Sequence, residues 1–132
     1  MENQITTFLT FQESNAEEAM NFYIGLFDNS KITEVQRYGA GGPAKAGTIM
    51  MAKFELNGKP FMCSDTYVKH EWTFTPAISL YVECKTDSEL EHLFHRLSES
   101  GRIYMALDDY GFSKRFGWVG DKFGVTWQLN LQ

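Results

Sequence analysis

Cysteine is scarce in this 132-residue chain, clustered positive charge is absent, and so is any long apolar run. The two cysteines, Cys63 and Cys84, each fall inside an apparent strand. No disulfide framework is available, and the simplest expectation is a pair of reduced, buried thiols. Lysine and arginine are outnumbered, leaving a net charge of −5, and Lys114-Arg115 is their one tight pair. A nucleic-acid partner needs basic side chains gathered on one face, so that partner class is excluded. No segment approaches the ~20 apolar residues of a membrane span, so no membrane association is expected. The opening residues MENQITTFLTFQESNAEEAM lack the basic start and apolar stretch of an export signal, and a cytoplasmic location is expected. With 43% apolar and 22% charged residues, what remains is an ordinary globular chain of one domain, residues 1–132.

What the chain does have is a repeated order of elements. A strand from Ile5 to Phe11, a helix from Ala16 to Phe27, and strands from Ile49 to Leu56 and Pro60 to Ser64 around Asn57-Gly58 form a first module, about 1–65. A strand from Ile78 to Glu83, a helix from Asp87 to Ser100 and a last hairpin turning at Gly120-Asp121 form a second, about 76–132. A half of this size cannot cover both faces of its own sheet, so the duplication predicts paired modules with a ligand cleft between them.

The helix starts are strongly marked. Ser14 and Asn15 are each followed three residues later by Glu17 and Glu18, the spacing of a capping box, and Thr86 with Glu89 repeats it. Ala16, Ala19, Met20, Tyr23, Leu26 and Phe27 make one apolar stripe, and Leu90, Leu93, Phe94 and Leu97 the other, with Gly101 as the predicted stop. The stretch Gly39 to Gly47 is glycine-rich. It lacks the Gly-Lys-Ser/Thr ending of a phosphate loop and no helix follows it, so it reads as a mobile connection or lid.

Four strings carry a resemblance: Phe22-Tyr23; Phe54-Glu55-Leu56-Asn57-Gly58 leading to Phe61-Met62; Phe74-Thr75-Pro76-Ala77-Ile78-Ser79-Leu80; and Gly117-Trp118 with Asp121-Lys122-Phe123-Gly124-Val125-Thr126-Trp127-Gln128. Over essentially its whole length the chain resembles the PhnB-like proteins, often labelled demethylubiquinone methyltransferase-like. They belong to the vicinal oxygen chelate superfamily, with glyoxalase I, bleomycin-resistance proteins and extradiol dioxygenases. The resemblance implies an α+β fold of two βαβββ modules forming a curved eight-stranded mixed sheet around a cleft, usually in a homodimer.

Superfamily enzymes hold a divalent metal through His, Glu or Gln side chains from strands of both modules. Here Thr7 to Thr10 stand where the first histidine is expected, and Ala77 to Ser79 replace the second. Only Cys63 and Gln128 remain as donors, so the expectation is no metal and no cofactor, with a divalent metal disfavoured. The methyltransferase label is not matched by a Gly-rich turn between strand and helix of the kind S-adenosylmethionine enzymes use.

The leading expectation is therefore metal-free binding of an aromatic or hydrophobic small molecule. The candidate ligand-binding residues are Phe8, Thr10, Phe61, Cys63, Trp72, Phe74, Tyr104, Phe112, Trp118, Trp127 and Gln128. Catalytic residues are left unassigned. Alternation along the last strand sends Trp127 and Gln128 to opposite faces, with core packing the simpler reading for Trp127. His70, beside Glu71 and Trp72, is the best acid or base by composition, against the plainer reading of a solvated loop histidine. Asp108, Asp109 and Arg115 flank Tyr110-Gly111-Phe112 and are read as mutually satisfied surface charges. The competing readings are a metal-dependent lyase, isomerase or dioxygenase-type enzyme using Gln128, Glu83 or Cys63, and sequestration of a cationic drug.

Overall fold

The structure, a computed structural model, describes residues 3–132. It contains two βαβββ units, 1–71 and 72–132 by chain position. The first comprises β1 (Thr7–Phe11), α1 (Ala16–Leu26), β2 (Lys31–Arg37), β3 (Ile49–Leu56) and β4 (Lys59–Asp65). The second comprises β5 (Ser79–Cys84), α2 (Asp87–Ser98), β6 (Arg102–Asp108), β7 (Arg115–Gly120) and β8 (Thr126–Leu131). Each unit holds one mixed four-stranded sheet, ordered β1-β4-β3-β2 and β5-β8-β7-β6, in which the first strand lies parallel to the last. The duplicated α+β order expected from the sequence is the order observed.

In the first unit, burial alternates along β3 from Ala52 onward, with Ala52, Phe54 and Leu56 enclosed and Lys53 exposed between them. Ala16, Ala19, Met20 and Tyr23 of α1 cover the enclosed face, as the stripe predicted. Asn57 and Gly58 both take positive φ, 51° and 77°, which suits the two-residue turn joining β3 to β4. The start of α1 differs from expectation. Asn15 makes no side-chain cap bond, and the Ala16 N–H donates instead to Asp65 Oδ1 at 3.0 Å. Asp65 Oδ2 also accepts from the Ile49 N–H at 2.8 Å, so one buried carboxylate ties α1 to the start of β3. A charged acceptor from the end of a neighbouring strand satisfies two backbone N–H donors that a local hydroxyl or amide cannot reach together.

In the second unit, Leu90, Leu93, Phe94 and Leu97 of α2 pack on the sheet. Here the predicted Thr86 cap forms, its Oγ1 accepting from the Glu89 N–H at 3.1 Å, while Glu89 Oε1 reaches one residue beyond the cap and accepts from the Lys85 N–H at 2.8 Å. The helix ends sooner than expected, with Ser100 in the left-handed region at φ 58°. Gly101 is needed for a different reason, since a Cβ there would lie 2.1 Å from the Gly120 carbonyl oxygen. Arg115 does not pair with Asp108 or Asp109; its Nη1 donates to Asp87 at 3.0 Å and Glu91 at 2.9 Å, clasping α2 to β7.

The Gly39–Gly47 stretch joins β2 to β3 as a tethered hairpin connection. Tyr38 exchanges backbone bonds with Thr48 and Gly47, Arg37 Nη1 reaches the Gly47 carbonyl at 3.0 Å, and Ala44 is buried.

Candidate functional site

Register decides which side chains share a surface. In the second unit a Cβ on Gly117 would lie 3.0 Å from the Phe94 ring of α2, so Gly117, Val119, Trp127 and Leu129 belong to the helix-covered face. Their neighbours along each strand face away from α2. On that far face Ser79 pairs with Thr126, Tyr81 with Gln128 and Glu83 with Asn130, while Trp118 and Phe116 sit opposite Gln128 and Asn130.

These polar groups form a directed chain. Thr126 Oγ1 donates to the Ile78 carbonyl at 2.7 Å, which consumes its one proton. The 2.9 Å contact between Ser79 Oγ and Thr126 Oγ1 is then donated by Ser79. Ser79 Oγ in turn accepts from Gln128 Nε2 at 3.4 Å. The amide of Gln128 is thereby oriented with its nitrogen toward Ser79, and its oxygen is left for another donor. Farther along, Asn130 Nδ2 donates to Glu83 at 3.0 Å and its Oδ1 accepts from Ser113 at 2.5 Å, which fixes the 109–114 loop over that end.

Aromatic rings flank the chain. Tyr104 and Trp118 lie 5.5 Å apart, and Phe112 meets Phe116 edge-on at 5.1 Å with Tyr110 beside them. The Trp118 indole N–H is enclosed yet has no hydrogen-bond partner. An unpaired buried donor of this kind costs about 1–3 kcal/mol.

Of the sequence candidates, Tyr104, Trp118 and Gln128 come together on this far face, and Phe112 stands exposed at its margin. Trp127 is core: it is 2% exposed, lies on the α2 side, and its Nε1 donates to Asp121 at 3.0 Å. Phe74 packs against the hairpin turn at Gly124, and Trp72 is exposed on the preceding loop. In the first unit Phe8 and Thr10 share the face away from α1 with Met62 and Ser64. Phe61 and Cys63 do not join them. Phe61 stacks on Phe54 with ring centres 5.4 Å apart, and Cys63 is fully buried between Leu9 and Ala52. Burial, then the nearby Asp65 carboxylate, pushes the Cys63 thiol up to about 12, far from a nucleophile's range. His70 uses its backbone N–H to reach Gln12 Oε1 at 2.6 Å.

Sequence reading missed Ser79, Thr126, Asn130 and Asp121. The signal available was their polarity inside strands that are otherwise apolar, which demands buried partners.

A divalent ion of the superfamily type needs several His, Glu or Gln donors. Among the described residues no group of three or more His, Cys, Asp or Glu side chains is placed to hold a metal. On the far face of the second sheet the Glu83 carboxylate is engaged by the Asn130 amide, the Gln128 amide nitrogen is turned to Ser79, and the other polar groups are hydroxyls. This set does not fit a catalytic metal.

Comparison with known proteins agrees with the fold. The sequence profile of the 3-demethylubiquinone-9 3-methyltransferase family matches residues 3–130. The solved structure of a Bacillus cereus PhnB protein, described as a putative 3-demethylubiquinone-9 3-methyltransferase, is 55% identical, with a TM-score of 0.95 over 98% of this chain and 100% of that one. Protein YjdN of Escherichia coli K12 is 29% identical over 83 residues, a stretch spanning 63% of this chain and 56% of that protein. The fosfomycin resistance protein FosX from Mesorhizobium loti, at 9% identity, shares the fold with a TM-score of 0.64 over 100% of this chain and 93% of its own. Among the described residues no helix is long and apolar enough to cross a membrane. With the duplicated βαβββ order and a profile match across nearly its whole length, the chain belongs to the 3-demethylubiquinone-9 3-methyltransferase family, the PhnB-like group of the vicinal oxygen chelate superfamily.

Proposed function

We propose that the protein binds a planar, largely apolar small molecule on the far face of the second sheet, without a metal, as a cytoplasmic homodimer. The observation that carries the reading is the Tyr104–Trp118 ring pair on one sheet face beside the oriented Gln128 amide. Aromatic walls with a few fixed polar groups are the composition of small-molecule sites. The family's methyltransferase description gives this reading less support: the Gly39–Gly47 stretch joins two antiparallel strands, not a strand and a helix as a nucleotide-type turn would. Two unpaired, buried thiols support a reducing compartment. Sedimentation equilibrium checks the dimer, which requires twice the chain mass.

The binding test uses N-phenyl-1-naphthylamine, a neutral dye that brightens in apolar surroundings. Saturable binding at one dye per chain is expected, with Trp118→Ala and Tyr104→Ala each weakening it about tenfold while the urea midpoint stays within the folded range. Linear, unsaturable fluorescence, or binding indifferent to both substitutions, refutes the reading.

A further inference from the structure

We infer that Asn57 is a site of spontaneous modification, deamidation through a succinimide, and that the segment 28–30 sets its rate. Asn57 is the one asparagine of the chain followed by glycine, and both residues are exposed. With no side chain on Gly58, its backbone nitrogen approaches the Asn57 amide carbon unhindered. In the reaction that nitrogen attacks Asn57 Cγ, forming a C–N bond, and the Cγ–Nδ2 bond breaks as ammonia leaves with the Gly58 proton. Water then opens the ring at either carbonyl, giving aspartate or isoaspartate at position 57.

Three contacts from the connection between α1 and β2 oppose the first step. The Gly58 N–H donates to the Asn29 carbonyl at 3.0 Å, so the attacking nitrogen is engaged. The Asn57 N–H donates to Ser30 Oγ at 3.1 Å; Ser30 spends its own proton on the Asp28 carbonyl at 3.2 Å, which leaves its oxygen to accept. A Cβ on Gly58 would lie 3.2 Å from Asn29 Nδ2, so the Asn29 amide lies against the turn. Closing the five-membered ring requires the peptide between Asn57 and Gly58 to rotate, which takes the Gly58 N–H off Asn29. The segment therefore clamps the β3–β4 turn, and modification waits for local opening. Isoaspartate adds a carbon to the main chain, and a two-residue turn then no longer closes in the register that pairs Leu56 with Lys59.

Peptide mapping by mass spectrometry after incubation at pH 8 tests this. Asn57 should be the first asparagine to convert. It should convert about thirtyfold faster in guanidinium chloride above the unfolding midpoint than in the folded protein, the ratio two net hydrogen bonds provide. Ser30→Ala should raise the folded-state rate and the Gly58 amide exchange rate alike, about fivefold, while the urea midpoint stays within the folded range. Ser30→Thr, which keeps the hydroxyl, should restore the wild-type rate. Earlier conversion at any other asparagine overturns the assigned site. Equal rates in folded and unfolded protein overturn the clamp, and a Ser30→Ala rate equal to wild type overturns the part given to Ser30.

Discussion

Asp121 offers the sharpest test of how this fold is held. It is 4% exposed, and its Oδ1 accepts from the N–H groups of Phe123 at 2.9 Å and Val125 at 3.1 Å. Its Oδ2 accepts from the Trp127 indole at 3.0 Å. One carboxylate therefore shapes the β7–β8 turn, in which Gly124 takes φ 97°, and anchors the largest fully buried side chain of the protein. Asp121→Ala leaves two buried donors and one half-buried donor without acceptors. At about 1–3 kcal/mol for each buried donor, the cost is about 3–5 kcal/mol, a large share of the ~5–15 kcal/mol that holds a domain folded. In urea unfolding followed by circular dichroism, this lowers the midpoint by roughly 2 M for an m-value near 2 kcal/mol/M. Asp121→Asn keeps Oδ1 in place and turns an N–H₂ toward the Trp127 N–H, a donor facing a donor. Trp127→Phe removes that conflict, so the Asp121→Asn/Trp127→Phe pair should be about 1 kcal/mol more stable than the sum of the two single changes. An additive cycle, or an Asp121→Ala protein within 1 kcal/mol of wild type, refutes the reasoning.

The remaining predictions concern the core and its close contacts. Asp65→Ala should cost about 2–4 kcal/mol by stranding the Ala16 and Ile49 N–H groups, and hydrogen exchange should show the first turn of α1 losing protection before α2 does. Gly101→Ala should destabilise more than Gly117→Ala, because its methyl meets a backbone carbonyl at 2.1 Å whereas the other meets the Leu107 side chain at 2.8 Å and the Phe94 ring; equal melting temperatures for the two variants would sink this ordering. Cys63 and Cys84 should be unreactive toward Ellman's reagent at pH 8 until the chain unfolds. Burial first, then Asp65 for Cys63 and Glu89 and Glu83 for Cys84, raises both thiols from 9.0 to about 12. The folded state thus keeps protons that the unfolded state releases, so this contribution is complete below about pH 9 and fades as pH rises toward 12. Urea midpoints that rise between pH 9 and 11 would contradict that sign.

How much was legible beforehand varies by residue. Helical periodicity identified the buried stripes of both helices, and Asn57-Gly58 marked a turn, because these signals act between residues close in the chain. The Thr86-Glu89 cap was legible for the same reason, and the Ser14-Asn15 cap misled because Asp65, fifty positions on from Asn15, competes with better geometry. Arg115 likewise found its partners on α2, not among the aspartates beside it in sequence. The candidate list mixed faces: Phe61, Cys63 and Trp127 turned inward while Tyr104, Trp118 and Gln128 gathered on one surface, since a shift of one residue in register exchanges the faces of a strand.

The duplicated βαβββ order and the family are legible along the chain alone, through patterns that repeat within a few residues or run in unbroken strings. Three-dimensional packing set the rest: the Gln128 amide faces Ser79, Trp118 keeps an unpaired N–H, and buried Asp65 anchors backbone 16 and 49 positions away. Those outcomes depend on strand register and on competition for hydrogen-bond partners far apart in the chain, and neither is encoded in any local stretch.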